Sequence, residues 1–561
     1  MAAASKASSG LKPPAMDDAA AAAAVKATKG GGRGAFLPHF FLVLSVVTLC
    51  AVVYAPRFFV SGPAPYGAVV VGISTPSSTT TSRTSSSAPP LGLEHVAGRG
   101  DAEQEHGGAL HQYQQVVLDN QVGSPCASLP NHTICCDRTD YHSDVCFMSG
   151  DVRTDAASLS LLLFPPPRAS SAPAEPGAAA VTEERIRPYT RKWDAYITKT
   201  IHEVRLRRVM ARPPEEEAAA AAAHRCDVRH DAPVLVVTAA GYSHNMFHVF
   251  NDGFLPLWLT AQHLRRHVVL AVLSYSPRWA GTYGEILSGL SRYHVIDLLR
   301  DKRTHCFLGA VVGTRYHDYL AVNSTRLRDN RTIVDFHDFL AGVYDDDNLK
   351  PKADDGGGSR SRTEETPPLE RRPRLGIVSR KGRRVIENQA AVARLAASVG
   401  FDVDVMETAT GVPLSAMYAS VSSYDALVGV HGADLTTFLF LRPGRAALAQ
   451  IAPLGITMLS RNLFGVPAAR MGLHYEQYDV SARESSLSRQ YPAGHVVVAD
   501  PARARREQGK QEWELVEHVY LRGQNVSLDL GRFRETLARI HSRLKERQQS
   551  QVSSPDASPQ I

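Results

Sequence analysis

Three short stretches of this chain hold residue types that could do chemistry, and each follows a run that reads as a buried strand. The first is GYSHNMFHVFND, residues 241–252, directly behind APVLVVTAA. Gly, Ser and Asn make a tight turn and MFHVFND opens a helix, so His248 and Asp252, four apart, share one helical face. A carboxylate beside an imidazole fixes its tautomer and raises its basicity. That is what a general base needs to take a proton from a hydroxyl. The competing reading is that the pair only caps and packs the helix. Asn245 and Asn251 are candidates for orienting an acceptor. The second stretch is GIVSRKGRR, 376–384, where Arg380, Lys381, Arg383 and Arg384 crowd together just after Ser379. A guanidinium fork donates two parallel hydrogen bonds to phosphate oxygens; the alternative is a solvated basic turn. The third is VGVHGADLTTFLFLRPG, 428–444. Small residues at His431-Gly432-Ala433 let the backbone approach a ligand, and the free amides of the following helix attract an anion. The pattern is neither GxGxxG nor a P-loop, so NAD and ATP find no support. No metal is expected: Asp402 and Asp404 alternate within a strand and face solvent, and Asp345 to Asp347 abut a low-complexity break.

The elements that must position these residues alternate between strand and helix. Strand signals lie at 232–240, 268–274, 293–298 and 306–313, and again at 374–380, 401–407, 425–430 and 446–452. Helical runs stand between them, among them AAVARLAASVG closed by Gly400, PLSAMYASVSS and ADLTTFLFL. Such alternation indicates parallel sheets flanked by helices. The two blocks predict an α/β protein with two doubly wound, Rossmann-like domains facing a cleft, with ligands at the carboxyl ends of the strands. The boundaries are 115–345 for the first, 346–373 for a linker and 374–549 for the second, with a tail over 550–561. Leu530, Phe533, Leu537, Ile540 and Leu544 mark one face of a closing amphipathic helix.

Length and composition agree. The chain has 561 residues, 44% of them hydrophobic, and a formal charge of +6. These values exclude a polytopic membrane protein and give no argument for nucleic acid. Residues 1–34 are a polar, Ala- and Gly-rich cytosolic tail. The apolar run within 35–56 is at the short end for a membrane helix, and the positive charge before it predicts a type II signal anchor. A Ser-, Thr- and Pro-rich stalk covers 57–114. Four glycosylation sequons, at Asn131, Asn323, Asn330 and Asn525, all follow the apolar run. So do six of seven cysteines, which predicts disulfides in an oxidising lumen, with connectivity open.

Taken in this order the stretches resemble glycosyltransferase family 61, in particular its plant members. The resemblance runs over 126–544. It is carried by Cys136-Asp137, Cys146 with Gly150-Asp151-Val152-Arg153, Arg187-Pro188-Tyr189, GYSHNMFHVFNDGFLPLW, GIVSRKGRRVIEN, VGVHGADLT, FLRPG, and Tyr520, Gln524, Leu528 and Arg532-Phe533. It implies an inverting, Golgi-resident transferase of GT-B type with a UDP-sugar as co-substrate and no required metal or other cofactor. The implied donor is UDP-xylose or UDP-arabinofuranose and the acceptor is xylan. In this reading His248, aided by Asp252, deprotonates the acceptor. Ser379, Arg380, Arg384 and the His431-Gly432-Ala433 turn hold the diphosphate, and Asn245 and Asn251 orient the acceptor. The Golgi membrane and other Golgi transferases complete the expected partners. Ala240, Ser243, Val249 and Asp434 depart from the usual family residues. The rival reading is a non-catalytic Golgi glycan-binding or scaffold protein on the same fold.

Overall fold

The computed structural model describes residues 120–553 apart from 128, 131, 166–182, 210–213, 346–370 and 408–411. The tail, anchor and stalk read at 1–114, the sequon at Asn131 and nearly all of the 346–373 linker lie outside the described residues. Among the described residues no helix is long and apolar enough to cross a membrane.

Two sheets organise the molecule. The first comprises β1 (Ile134–Asp137), β2 (Val145–Asp155), β3 (Ser160–Phe164), β4 (Glu183–Ile186), β5 (Val204–Arg208), β6 (Val228–Arg229), β7 (Val234–Thr238), β8 (Val269–Leu273), β9 (Ile296–Asp297) and β10 (His305–Gly313). Its order is β4-β5-β3-β2-β10-β7-β8-β9, with β1 on β2 and β6 on β10. Only the β10-β7-β8-β9 half is doubly wound in the expected sense, with parallel pairing throughout. VLVVT and VLAVL are almost wholly buried, as befits parallel strands covered on both faces. The other half is an addition that the strand–helix alternation does not show. β2 runs antiparallel to β1, β3 and β10, and β4 runs antiparallel to β5. β5 reads VRLRR and buries only Val204 and Leu206. Its signal is period two and diluted by arginine, so it lacks a continuous apolar run.

The second sheet comprises β11 (Arg374–Ser379), β12 (Asp402–Glu407), β13 (Ala426–Val430), β14 (Ala447–Ala452) and β15 (His474–Asp479). All pairings are parallel and the order is β12-β11-β13-β14-β15. This is a doubly wound order with its reversal between β11 and β13, where ligands bind in such sheets. The strand and helix limits expected for 374–452 hold closely. The helix Gln389–Val399 ends on Gly400 at φ 123, a conformation side chains avoid. The segment Ala433–Phe440 winds as a 3₁₀ helix instead of an α-helix; the Thr437 hydroxyl donates to the Asp434 carbonyl three residues back. In the closing helix Leu530–Ser553, Phe533, Leu537, Ile540 and Leu544 are buried, while Leu530 is exposed.

Alternate strand residues face opposite layers. Leu235, Val237, Leu270 and Val272 of the first sheet and Val378, Leu427 and Leu448 of the second all enter one apolar cluster. Between them lie Phe250, Phe254 and Trp258, Phe336 and Leu340, and Leu435, Phe438 and Phe440. The Phe250 and Phe440 rings meet edge to face at 6.1 Å. The two halves therefore share a core, where the sequence predicts two domains across a cleft. Disulfides join Cys126–Cys135, Cys136–Cys146 and Cys226–Cys306. Cys136 and Cys146 are directly opposed on β1 and β2, which answers the connectivity that spacing leaves open. The third bridge closes over β7, β8 and β9 and ties the β6 end to β10.

Candidate active site

His248 and Asp252 sit where the chain leaves β7, next to the end of β10. Asn245 opens the helix by accepting the Phe247 amide hydrogen on its side chain (3.0 Å). From Val249 to Phe254 the helix widens into a π-turn before resuming as Leu255–Ala261. Such bulges persist where a site requires them. Here it accompanies a 2.5 Å contact between His248 Nδ1 and Asp252 Oδ2. Asp252 is buried, whereas the His248 side chain keeps a fifth of its surface exposed. Burial pushes the Asp252 carboxyl up. His248, Arg191 and an Asn251 hydrogen bond outweigh it and hold the group below its ordinary value. The carboxylate is thus ionised and aimed at the imidazole.

Asn251 is itself buried and fully committed. Its amide donates to Asp252 Oδ1 (2.6 Å) and its carbonyl accepts the Leu320 amide hydrogen (2.8 Å). The pocket in front of the pair is lined by Tyr189, Ala240, Ser243, His248, Asp252 and Thr314. Gly241 closes its wall at φ +73, where a Cβ would stand 2.8 Å from the Tyr189 ring.

The second set of predicted residues gathers at the reversal between β11 and β13. Arg380 follows β11, its guanidinium packed on Gly432 and paired with Asp434 (2.8 Å). Arg384 adopts φ 53, strained for a side-chain-bearing residue. The C-terminal segment holds it there: the Arg384 amide donates to the Gln524 carbonyl, and the Asn525 side chain accepts the Val385 amide hydrogen. Arg384 donates one bond to the His431 carbonyl (2.8 Å), and its buried Nε has no partner. Burial, with Arg380 adding repulsion, brings its guanidinium down to about 9. A buried cation short of a counter-charge is a seat for an anion.

His431 is buried, and burial together with Arg384 and Arg380 holds it neutral, far below its ordinary value. Its Nδ1 contacts Gln450 Nε2 at 3.0 Å, while Gln450 Oε1 accepts from Tyr475 (2.8 Å). Gln450 therefore donates to Nδ1, which leaves the ring hydrogen on Nε2. Ser379 ends β11 beside this group, and the first amides of Ala433–Phe440 lack partners within their own segment. Phe464 links the two gatherings. Its ring meets Phe247 at 5.6 Å and His431 at 5.3 Å. A base beside a pocket, with a cationic seat beyond the Phe247 and Phe464 rings, can couple deprotonation of a hydroxyl to departure of an anionic leaving group.

A family model described as Glycosyltransferase 61 matches residues 242–448. A xylan glycosyltransferase of Arabidopsis thaliana is 34% identical over 435 residues, which cover 76% of this chain and 83% of that protein. A beta-1,2-xylosyltransferase of Oryza sativa subsp. japonica is 36% identical over 416 residues, 73% of this chain and 84% of that one. An alpha-1,3-arabinosyltransferase of the same species is 32% identical, over 72% and 64%. The chain belongs to glycosyltransferase family 61. It is a glycosyltransferase, and the matched segment contains His248, Asp252, Ser379, Arg380, Arg384 and the 431–433 turn.

Several residues of this family 61 site escape a reading by motif. Tyr242 stacks on the His248 ring at 4.7 Å and donates to Asp194 (2.8 Å). Arg191, buried at φ 64, lies over the Tyr242 ring at 5.4 Å and helps ionise Asp252. Tyr316 lies within 3.4 Å of the Asn251 amide. Arg191 and Tyr316 come from segments remote in sequence, whereas Tyr242 stands inside the first motif, where its type alone does not mark it. Only Gln450, a polar residue inside the apolar strand AALAQIA, carries a local signal. Among the described residues no group of three or more His, Cys, Asp or Glu side chains could hold a metal. Asp402 and Asp404 are exposed, as their alternation predicts. Of the sequons, Asn323 and Asn330 are exposed. Asn525 is half-buried, with its side chain engaged by Val385.

Proposed function

We propose that the chain is an inverting pentosyltransferase that moves xylose or arabinofuranose from a UDP-sugar to xylan in the Golgi lumen, without a metal. The single observation that carries this reading is the connection of the His248–Asp252 pair to the Arg380, Arg384 and His431 seat through the packed rings of Phe247 and Phe464. Support for the sugar class comes from the relatives, which are named for xylan, xylosyl and arabinosyl transfer. In the reaction, His248 takes the proton of the acceptor hydroxyl while Asp252 stabilises the imidazolium. The freed oxygen forms the new bond to the anomeric carbon as the bond to UDP breaks on the opposite face. Arg384 and Arg380, with the first amides of the 433–440 segment, receive the charge that develops on the diphosphate. Asn245 sets the start of the base-bearing helix, and Asn251 holds Asp252 rather than an acceptor. Anchor and lumenal orientation rest on the apolar run at 35–56 and the charge before it.

The test is a screen of UDP-xylose and UDP-arabinofuranose against xylo-oligosaccharides, with linkage analysis of the product and a parallel UDP titration. Tight UDP binding with transfer of one pentose is the expected result. UDP binding without transfer to any acceptor would favour the scaffold reading, and loss of transfer in chelator would overturn the metal-free one.

A further inference from the structure

We propose that the outer face of Tyr141 is a stacking platform for a sugar ring of a polysaccharide acceptor, one or more units away from the reacting sugar. The proposal rests on the transferase reading above and deepens it by naming an acceptor subsite. Tyr141 is 57% exposed, one of few large apolar side chains on the surface of the described residues. Its hydroxyl has no hydrogen-bond partner among the described residues, so it is open to a sugar hydroxyl.

The ring is not loose. It lies nearly parallel to Trp193, at 19° and 6.0 Å between centroids. The Arg191 guanidinium sits over Trp193 at 4.8 Å and also over Tyr242, which stacks on His248. Planar groups thus follow one another from solvent to the base: Tyr141, Trp193, Arg191, Tyr242, His248. The next residue in the chain meets both the Tyr141 and Trp193 rings edge-on. His142 packs on Tyr316 at 4.5 Å, and Tyr316 contacts Asn251, the residue that orients Asp252. The platform is therefore anchored in the same wall that supports the catalytic pair.

The occupant follows from chemistry and continuity. One face of a pyranose is a layer of C–H bonds, and it suits the negative face of an aromatic ring, while its edge hydroxyls stay in water or meet polar groups. A protein partner would call for a broader apolar patch. Here a single ring is backed by an ordered stack and continuous with the candidate active site, which suits one narrow chain entering it.

The experiment compares wild type with Tyr141→Ala and Tyr141→Phe, using xylohexaose and xylobiose as probes. Binding is read by calorimetry and by tryptophan fluorescence, and KM and kcat are read in the transfer assay. Tyr141→Ala is expected to raise Kd and KM for xylohexaose by on the order of tenfold. UDP affinity and kcat stay unchanged, xylobiose responds less than xylohexaose, and Tyr141→Phe restores binding. Equal xylohexaose affinity in Tyr141→Ala and wild type would overturn the platform, as would a Phe variant as weak as the Ala variant. Absence of xylohexaose binding by the wild type at millimolar concentration would overturn it too. Tyr141-dependent binding without any transfer would leave the platform standing and remove the transferase reading instead.

Discussion

Replacing Asp252 by Asn keeps the shape of the site and reverses its proton bookkeeping. Asp252 Oδ1 accepts from the Asn251 amide and Oδ2 faces His248 Nδ1. Asn251 cannot turn over, because its own carbonyl holds the Leu320 amide. An Asn at 252 must therefore present its oxygen to Asn251 and its NH₂ group to His248. The imidazole then accepts at Nδ1 and carries its hydrogen on Nε2, so the nitrogen facing the pocket has no lone pair for an acceptor proton. The other orientation sets two buried N–H groups against each other, at about 1–3 kcal/mol for each donor left unmade. Loss of general-base catalysis lowers kcat by on the order of 10²–10⁴, about 3–5 kcal/mol. The assay is UDP release with the preferred donor, alongside a UDP titration, in which affinity stays within about twofold. A kcat within about tenfold of wild type would refute the argument. So would an Asp252→Asn, His248→Ala double variant whose loss is the product of the two single losses, since residues acting as one unit are not additive.

Other perturbations separate the remaining parts. Arg384→Gln should weaken UDP binding by on the order of ten- to a hundredfold, as expected for a charge-assisted bond, and calorimetry reads it directly. Asp434→Asn removes the carboxylate paired with Arg380 and should tighten UDP binding severalfold; weaker binding would show that Asp434 positions Arg380 instead of competing for it. His263 has both ring nitrogens buried without partners, and burial brings it down to about 4, with Asp329 and Arg315 as the nearest charges. Between pH about 6.5 and about 4 the unfolded chain then binds the proton that the folded chain refuses, so stability falls as pH falls through that window. His263→Leu should therefore raise Tm more at pH 5 than at pH 7.5. Cys226→Ser with Cys306→Ser opens the longest disulfide loop and should cost about 2–5 kcal/mol in denaturant unfolding.

The second sheet was almost fully legible because β11, β13 and β14 are apolar runs buried on both faces and β12 follows a helix with a sharp stop. Gly400 after Val399 and the run ALVGV leave little choice. β15 was not, since HYEQYD buries only Tyr478 fully and is held by pairing with β14. In the antiparallel half of the first sheet EERI and VRLRR failed for the same reason and become strands through their neighbours; SLLLF is wholly buried, but no strand–helix alternation surrounds it. At the site, His248, Asp252, Arg380, Arg384 and His431 were readable because each stands in a strand-end motif. Arg191 and Tyr316 were not, because what recruits them is contact across some 50–70 positions of chain; Tyr242 stands in the motif but shows its role only by stacking on His248. The role of the Gln524-Asn525 tail was equally hidden, as it acts through the backbone of Arg384 and Val385.

The apolar layer common to both sheets sets a rule for exchange between relatives. A chimera cut in the 346–370 segment would join the first sheet of one parent to the second sheet of another. Phe247 and Phe250 from one parent would then face Phe464 and Phe440 from the other, and a mismatch there would displace His248 and His431 together. Grafts that follow the layer, moving 246–261 with 433–440 and 461–465, keep the partners matched; grafts that follow the chain do not. In this protein the packing that must stay matched is a slab between the sheets, not a half of the sequence.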